Sequence, residues 1–382
     1  LVVAGPMILG AVLLFGMKYM SSLAGAPSKD QDVLVVIITY SILFPLLLTS
    51  MVSFVLTRFV ADKLYENQYE HILPSMYGAI SLCLLIGSVS WGIFLYFSQT
   101  PIEYCILSFF LFNEAIAVWI EMAYISAAKD YMSILRSFGL GVILGLLAGY
   151  LFIWNLHFNI IISLLAAACI SYGTMLVGFT ITLHNYFPIG NGTSLMFLEW
   201  IEKYPILIWV GLFTMLGLFT HLLLMWGSPW GKQAIGLFYH APAHDIPALV
   251  AFLTTLVTTV NFVTSVEVNF YPKYRTYFSL LNEGGSLIDI EKAYKEMITT
   301  LKQELFYLAQ VQMFVEVIVI AVAGAIIPGL GMGFNTVMIG LFRVLCVGYG
   351  LFAIGNSIVL FLLYFSDNKG ALLVTSTLFV VN

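Results

Sequence analysis

Charged residues are scarce in this chain: lysine, arginine, aspartate and glutamate make up 9% of its 382 residues, against about 25% in a typical soluble domain. Hydrophobic residues make up 61%, above the roughly 45 to 50% of soluble domains. The composition therefore indicates an integral membrane protein. The net charge of −5 lies mainly in loops, and no basic patch or tail that would bind nucleic acid is present.

Cysteine is also scarce, and common catalytic motifs are missing. The four cysteines, Cys83, Cys105, Cys169 and Cys346, stand singly in apolar segments, so neither a disulfide framework nor a zinc site is expected. The sequence contains no Walker loop, no GxSxG motif and no polar region long enough for a catalytic domain. We therefore expect no enzyme, no metal and no cofactor.

Long apolar runs are abundant. A membrane-spanning helix needs about 20 apolar residues, and the chain has eleven candidate spans. They lie near 1–17, 33–57, 73–97, 105–127, 134–154, 159–183, 205–226, 246–266, 305–328, 341–365 and 370–382. Because the chain begins and ends inside such runs, we expect both end spans to be incomplete in an all-α fold of about 12 transmembrane helices.

Basic residues are unevenly distributed among the loops that connect the predicted spans, numbered here in chain order. The even-numbered connections carry most of the lysines and arginines, and the odd-numbered ones and their edges carry only Lys18, Lys29, Lys232 and Arg343. Basic loops favour the cytoplasmic side of a membrane. The even-numbered connections are therefore predicted to be cytoplasmic.

The connection after the sixth span, HNYFPIGNGTSLMFLEWIEKYP, separates two halves. Its pattern of Leu195, Leu198, Trp200 and Ile201 predicts a short amphipathic helix on the cytoplasmic face. We expect a helical bundle over 1–183, a linker over 184–204 and a second bundle over 205–382. The similar segments SFVLT and NFVTS occupy matching positions in the two halves, which favours a repeat in one orientation.

The longest polar region is 267–304. Gly284 and Gly285 break it, Ser286 is a suitable helix N-cap, and an apolar stripe then predicts a helix that runs into the ninth span. The region is either a solvated connector or a docking surface for a cytoplasmic partner. Its mixture of charge and aromatic rings is typical of interfaces. The docking candidates are Tyr271, Tyr274, Arg275 and Tyr277.

Ionisable residues inside spans are rare and usually face the bundle interior or a wet cavity. Glu114 and Glu121 lie seven residues apart, which places them on one helix face about 10.5 Å apart along the axis. Glu316 lies in the ninth span and Arg343 in the tenth. Two interpretations remain open: Arg343 pairs with a carboxylate and holds helices together, or these residues couple transport to an ion or a proton or contact the substrate.

The eighth span carries a polar stripe, formed by Thr254, Thr258, Asn261 and Ser265 at spacings of three and four residues. Such side chains bond to their own helix or pack against another helix. Alternatively, they line a cavity that exchanges hydrogen bonds with sugar hydroxyls. The second span has a thinner polar stripe that includes Tyr40. The substrate-path candidates are Thr254, Thr258, Asn261, Ser265, His221 and Tyr40.

Two cytoplasmic segments resemble signatures of a known family. TRFVADKLYENQYEHILPS at 57–75 and VEVNFYPKYRTYFSLLNEGGSLIDIEKAYKEM at 266–297 are similar to those of the PelG family, which serves Pel exopolysaccharide export. The resemblance implies a bacterial inner-membrane protein of the multidrug/oligosaccharidyl-lipid/polysaccharide flippase superfamily. It also implies a cytoplasmic glycosyltransferase and other membrane subunits as partners, and an N-acetylgalactosamine-rich polymer as substrate.

In that superfamily a central cavity lies between two six-helix bundles and is lined mainly by spans one, two, seven and eight. The resemblance therefore implies that the polar stripe and His221 lie closer to the substrate than Glu114 and Glu121, which remain candidates for ion coupling or packing within one bundle. It assigns no catalytic residue. The alternatives are a membrane scaffold that anchors and activates the glycosyltransferase, and a transferase that uses Glu114 or Glu121 as a base.

Overall fold

A computed structural model of the protein describes residues 5–190, 192–330 and 333–381. Helices dominate this part of the chain. The helices are α1 (Gly5–Leu23), α2 (Ser28–Tyr65), α3 (Ile72–Ser98), α4 (Ile102–Ala127), α5 (Tyr131–Tyr150), α6 (Ile160–Tyr186), α7 (Phe197–Lys203), α8 (Ile206–Trp226), α9 (Pro242–Phe252), α10 (Leu256–Thr264), α11 (Tyr271–Glu283), α12 (Leu287–Ile326), α13 (Thr336–Tyr364) and α14 (Asn368–Val381). Two short strands, β1 (Lys232–Ile235) and β2 (Phe238–His240), form an antiparallel hairpin between α8 and α9.

Each of the eleven predicted spans falls on a helical segment, and the all-α integral membrane fold is confirmed. Within the described residues, nine helical segments are long and apolar enough to cross a membrane. The first and last predicted spans correspond to the shorter apolar helices Ile8–Leu23 and Asn368–Val381. Residues 1–4 and 382 of these two predictions lie outside the described part.

Side-chain caps explain where several helices begin. Asp130 precedes α5 and its carboxylate accepts a hydrogen bond from the Ser133 backbone N–H at 3.1 Å. At the start of α6, the Asn159 side-chain oxygen accepts a hydrogen bond from the Ile161 backbone N–H at 3.0 Å. Such caps satisfy N–H groups that the first turn of a helix leaves unpaired. The local sequence therefore stabilises the start of each of these helices.

The described chain divides into two compact units, an N-terminal unit that ends at Ala241 and a C-terminal unit that begins at Pro242. In the N-terminal unit α4 packs between α2 and α6, α5 packs on α6, and α8 runs along α2. This grouping places α8 with the first unit, whereas the predicted bundle over 205–382 assigned it to the second. The predicted division at 184–204 stays a prediction.

Glycines bring α5 and α6 into close contact. Gly141 and Gly145 lie four residues apart on the face of α5 that meets α6. A Cβ atom on Gly141 would lie 2.7 Å from the Ser171 carbonyl oxygen, and one on Gly145 would lie 3.0 Å from the Ala167 carbonyl oxygen. Small residues at this spacing let membrane helices approach backbone to backbone.

The linker contains the expected short amphipathic helix, α7, but its buried face differs from the prediction. Phe197 is fully buried and Trp200 nearly so, whereas Leu195 precedes the helix and is exposed. The Trp200 indole N–H donates to Asp62 Oδ2 at 2.8 Å, and Lys63 Nζ lies 5.0 Å from the centre of the Trp200 ring. The linker is thereby fixed to the end of α2.

In the C-terminal unit, α11 and the first part of α12 form a helical hairpin. The chain reverses at Gly284, whose φ of +82° favours glycine. Ser286 caps α12 as predicted, since its Oγ accepts from the Asp289 N–H at 3.2 Å. Glu291 and Lys295, one turn apart in α12, form an ion pair at 2.7 Å. α12 continues without a break to Ile326, which confirms that the polar region runs into the ninth span.

Candidate functional site

The predicted hydroxyl stripe meets two polar residues of α12 inside the C-terminal unit. Thr254 Oγ1 donates to Glu316 Oε1 at 2.8 Å, and the Gln312 side-chain amide donates to the same oxygen at 2.6 Å. Thr258 Oγ1 in turn donates to Gln312 Oε1. Thr254 and Thr258 are four residues apart, and so are Gln312 and Glu316. The two residues of each set therefore lie one helical turn apart, and each threonine meets its own partner on α12.

The helix α13 closes this polar network from another side. Cys346 hydrogen-bonds to Glu316, and a Cβ atom on Gly350 would lie 3.1 Å from Glu316 Oε1. Glu316 is 1% exposed, and its second oxygen, Oε2, is buried without a hydrogen-bond partner in the described part of the chain. Glu316 is therefore surrounded by neutral polar groups.

The interpretation in which Arg343 pairs with a carboxylate does not match the structure. Arg343 is exposed on α13, with its guanidinium beside Gly324. It forms no ion pair with any acid in 5–190, 192–330 or 333–381. A charge on this side chain therefore does not neutralise Glu114, Glu121 or Glu316 within the chain.

The other members of the predicted stripe lie outside the network. Asn261 is half-buried on α10, and its side chain hydrogen-bonds to no described residue. Ser265 is buried where α10 gives way to a wider helical turn over Ser265–Phe270. His221 is half-buried on α8 of the N-terminal unit. Of the four stripe residues, the structure thus joins Thr254 to Glu316 and Thr258 to Gln312.

Tyr40, another substrate-path candidate, is buried under the β-hairpin. Its hydroxyl donates to the Tyr239 carbonyl at 3.0 Å and accepts from the Tyr239 N–H at 3.2 Å. Its ring stacks on Trp226, with centroids 4.6 Å apart, and meets Phe238 at 5.1 Å. Trp226 and Phe238 therefore pack around Tyr40.

The two acids of α4 lie on the same helix face, as predicted, and that face meets α6. Thr180 Oγ1 donates to Glu121 Oε1 at 2.7 Å. Glu114 Oε1 lies beside Gly173, 3.3 Å from the position that a Cβ atom would take there. In both acids Oε2 is buried and bonds to no described residue. They are therefore packed inside the N-terminal unit.

The docking candidates divide into packed and accessible residues. Tyr274 and Tyr277 pack against a buried cluster that includes Phe270 and Met297. The Tyr274 ring lies 4.5 Å from that of Phe278, centre to centre. Tyr271 is half-buried. Arg275 is exposed on the outer side of the hairpin. Tyr274 and Tyr277 therefore stabilise the hairpin itself, and Arg275 is the candidate that a partner can reach.

A family model matches residues 1–382, the whole sequence: PelG, described as "Putative exopolysaccharide Exporter (EPS-E)". The comparison with curated proteins gave no match. The family match therefore rests on the entire chain and not on one motif.

Solved transporters of the MOP superfamily share the fold. A multidrug resistance MATE family transporter in an outward-facing conformation matches with a TM-score of 0.56 at 13% identity, over 98% of this chain and 84% of that chain. The eukaryotic MATE transporter AtDTX14 matches with a TM-score of 0.57 at 11% identity, over 100% and 92%. A MOP superfamily transporter from Pyrococcus furiosus Vc1 matches with a TM-score of 0.53 at 13% identity, over 98% and 83%. At such identities the likeness shows the fold alone.

Proposed function

Because this chain belongs to the PelG exopolysaccharide exporter family, we propose that it moves a Pel-type polymer, rich in N-acetylgalactosamine, across the bacterial inner membrane. The observation that carries the proposal is the match of the family model to all 382 residues. The MATE-like fold supports a transporter role in the same chain. A multi-pass arrangement of apolar helices fits a path through the bilayer.

A largely uncharged sugar polymer needs a path that holds it weakly and lets it slide. Many exchangeable hydrogen bonds of about 0.5 to 1.5 kcal/mol each meet this need better than one deep charged site. The hydroxyls of Thr254 and Thr258 are engaged with Gln312 and Glu316. We therefore assign these threonines a packing role and propose Asn261, which is half-buried on α10, as a polymer contact.

Export is tested in sealed vesicles that contain the purified chain, its glycosyltransferase and the other membrane subunits. Nucleotide sugar is supplied on the side where the enzyme faces. We expect newly made polymer to become protected from an added glycosidase as it crosses the membrane. Vesicles without this chain serve as the control. Polymer that is made at the normal rate but stays accessible to the glycosidase would contradict an export role.

A membrane scaffold for the glycosyltransferase is the second candidate function. The feature that favours it is the hairpin of α11 and α12, whose turn leaves Leu287 and Ile288 about four-fifths exposed, at 81% and 79%. Exposed apolar side chains next to charged ones are typical of protein interaction sites. A cytoplasmic glycosyltransferase is the proposed occupant. In the vesicle experiment, a scaffold role predicts that polymer synthesis is lost when this chain is left out. It also predicts that substitutions along the proposed transport path have no effect.

Replacing Arg275 by glutamate should weaken capture of the glycosyltransferase. Arginine is enriched among interface hot spots, where truncation costs about 2 kcal/mol or more, roughly a thirtyfold loss of affinity. Because Arg275 is exposed, the melting temperature of the purified chain should not change. The measurement is the amount of enzyme that co-purifies from detergent-solubilised membranes.

Two controls separate docking from folding. Lys302→Glu makes the same change of charge at an exposed position of α12 and should leave capture unchanged. Tyr274→Ala removes a ring from the packed hairpin cluster and should lower the melting temperature. Normal capture by the Arg275→Glu variant would remove this residue from the docking surface.

A further inference from the structure

Thr180 on α6 is within hydrogen-bonding distance of two acceptors. Its Oγ1 lies 2.7 Å from Glu121 Oε1 and 2.9 Å from the carbonyl oxygen of Leu176, one turn earlier in α6. A threonine hydroxyl carries a single hydrogen. It can donate fully to only one of the two oxygens, and the carbonyl of Leu176 can only accept. The second contact is therefore either a weaker, shared hydrogen bond or one made with a second hydrogen.

A proton on Glu121 supplies that hydrogen. With the carboxyl group protonated, Glu121 donates to Thr180 Oγ1, and Thr180 donates to the Leu176 carbonyl, so both contacts are hydrogen bonds. With the carboxylate ionised, the Thr180 hydroxyl turns to Glu121 and the Leu176 contact is lost. The site thus has two hydrogen-bonding arrangements that differ by one proton.

The surroundings of Glu121 favour the neutral form. The residue is 1% exposed, and Oε2 is buried with no partner in the described part of the chain. An unpaired carboxylate in an apolar environment carries a large desolvation penalty, which protonation removes. Thr180 is the one hydrogen-bond partner that the structure gives to Glu121 among the described residues.

Among the described residues, no ion pair joins a basic group of the packed helices to Glu121. On α2, Arg58 pairs with Asp62 at 3.1 Å and Lys63 with Glu66 at 2.9 Å. Arg136 of α5 interacts with Asp130. On α4 itself, the Tyr124 hydroxyl bonds to Ser75 at 2.9 Å. Tyr77 of α3 is near enough to Glu121 to be affected by its charge, and the His184 ring of α6 bonds to the backbone carbonyl of Thr180, one turn earlier.

His184 and Tyr77 connect this site to the end of the helix. His184 lies in the last turn of α6, and its Nδ1 donates to the Thr180 carbonyl at 2.8 Å. Because a carbonyl only accepts, Nε2 is the free acceptor of the neutral ring, and the Tyr77 hydroxyl lies 3.0 Å from it. Tyr77 is 44% exposed. By the distribution of basic residues, this end of α6 faces the cytoplasm.

We propose that Glu121 is a proton-binding site in the N-terminal unit, loaded through His184 and Tyr77. The site rests on the shared hydroxyl of Thr180 and on the buried Oε2 of Glu121, which bonds to no described residue. The path rests on the contact between Tyr77 and His184 at the helix end, and a water molecule completes the connection to Glu121. The binding of a proton is independent of which polymer the chain carries. In a transporter, it supplies a change of charge inside the membrane.

The proposed transfer moves one proton from solution to Glu121 and uses one bridging water molecule. A proton from solution binds His184 Nε2, and the ring becomes a cation that donates to both Thr180 and Tyr77. The Tyr77 hydroxyl passes its own hydrogen through a bridging water to Glu121 and receives the proton from Nε2. His184 is neutral again, Tyr77 and the water are unchanged, and the Glu121 carboxylate has become a carboxylic acid.

Infrared spectroscopy of the purified full chain in lipid membranes tests the site, because the C=O stretch of a protonated carboxyl group is distinct from that of a carboxylate. Glu121→Gln should remove one component of this band. Thr180→Val keeps the acid and the side-chain shape, and should shift the same component because its hydrogen bond is lost. The second variant keeps the test valid where Glu121→Gln accumulates poorly.

Delivery of the proton is tested by transferring the protein into heavy water and measuring the rate at which this infrared component shifts as deuterium replaces the proton. His184→Gln and Tyr77→Phe should each slow the exchange, by roughly a hundredfold if they act as positioned proton carriers. His157→Gln, at an exposed position before α6, is the matched control and should exchange normally. A band that Glu121→Gln leaves intact would overturn the site, and unchanged exchange in both relay variants would overturn the path. Neither readout involves polymer, so failure here is distinguishable from failure of export.

Discussion

Replacing Gly141 by leucine should prevent the protein from accumulating in the membrane. A Cβ atom at this position would lie 2.7 Å from the Ser171 carbonyl oxygen and 2.7 Å from the Met175 side chain. The first of these neighbours is backbone and cannot move aside, so α5 and α6 must separate. Overpacking of this kind costs about 3 kcal/mol or more. The measurements are the amount of protein in membranes and the melting temperature of what is purified.

Gly139 provides a matched control two residues earlier in the same helix. A Cβ atom there would have no neighbouring atom within 4 Å. Gly139→Leu makes the same chemical change and should be tolerated, because leucine favours helix over glycine by about 0.8 kcal/mol. Equal accumulation of the two variants would show that α5 and α6 are not held together at Gly141.

The helices could be predicted from sequence because their signals are local. Apolar runs long enough for a bilayer marked the eleven spans, and a serine after two glycines marked the start of α12. The spacing of Glu114 and Glu121 placed both on one face, and the structure turns that face toward α6. Each of these inferences depends on residues that are neighbours in the chain.

The contacts of the candidate site could not be predicted because they join distant parts of the chain. Thr254 and Glu316 are separated by 62 residues, and Tyr40 and Tyr239 by 199. A hydroxyl stripe looks the same in sequence whether its partner is another helix or a substrate. Apolar periodicity also misjudged the linker, because Phe197 is buried by the end of α2 and Leu195 is left outside the helix.

The buried acids share one chemical arrangement in both units. Thr254 Oγ1 lies 2.8 Å from Glu316 Oε1 and 2.7 Å from the Ala251 carbonyl, as Thr180 lies between Glu121 and Leu176. Glu316 differs because the Gln312 amide also donates to it. Among the described residues, neutral hydrogen-bonding groups, in place of a basic residue, therefore contact the acid in each unit.

Changing both Thr254 and Thr258 to valine should destabilise the C-terminal unit. Valine keeps the side-chain shape, but Glu316 loses one donor and the Gln312 carbonyl loses its Thr258 donor in a buried setting. A buried polar group left without its partner costs about 1 to 3 kcal/mol. Export should therefore fall in proportion to the amount of folded protein, measured by melting temperature and membrane abundance. Thr259→Val, which removes only a bond to the Thr255 carbonyl, is the control. Normal stability with selectively lost export would instead return these threonines to the polymer path.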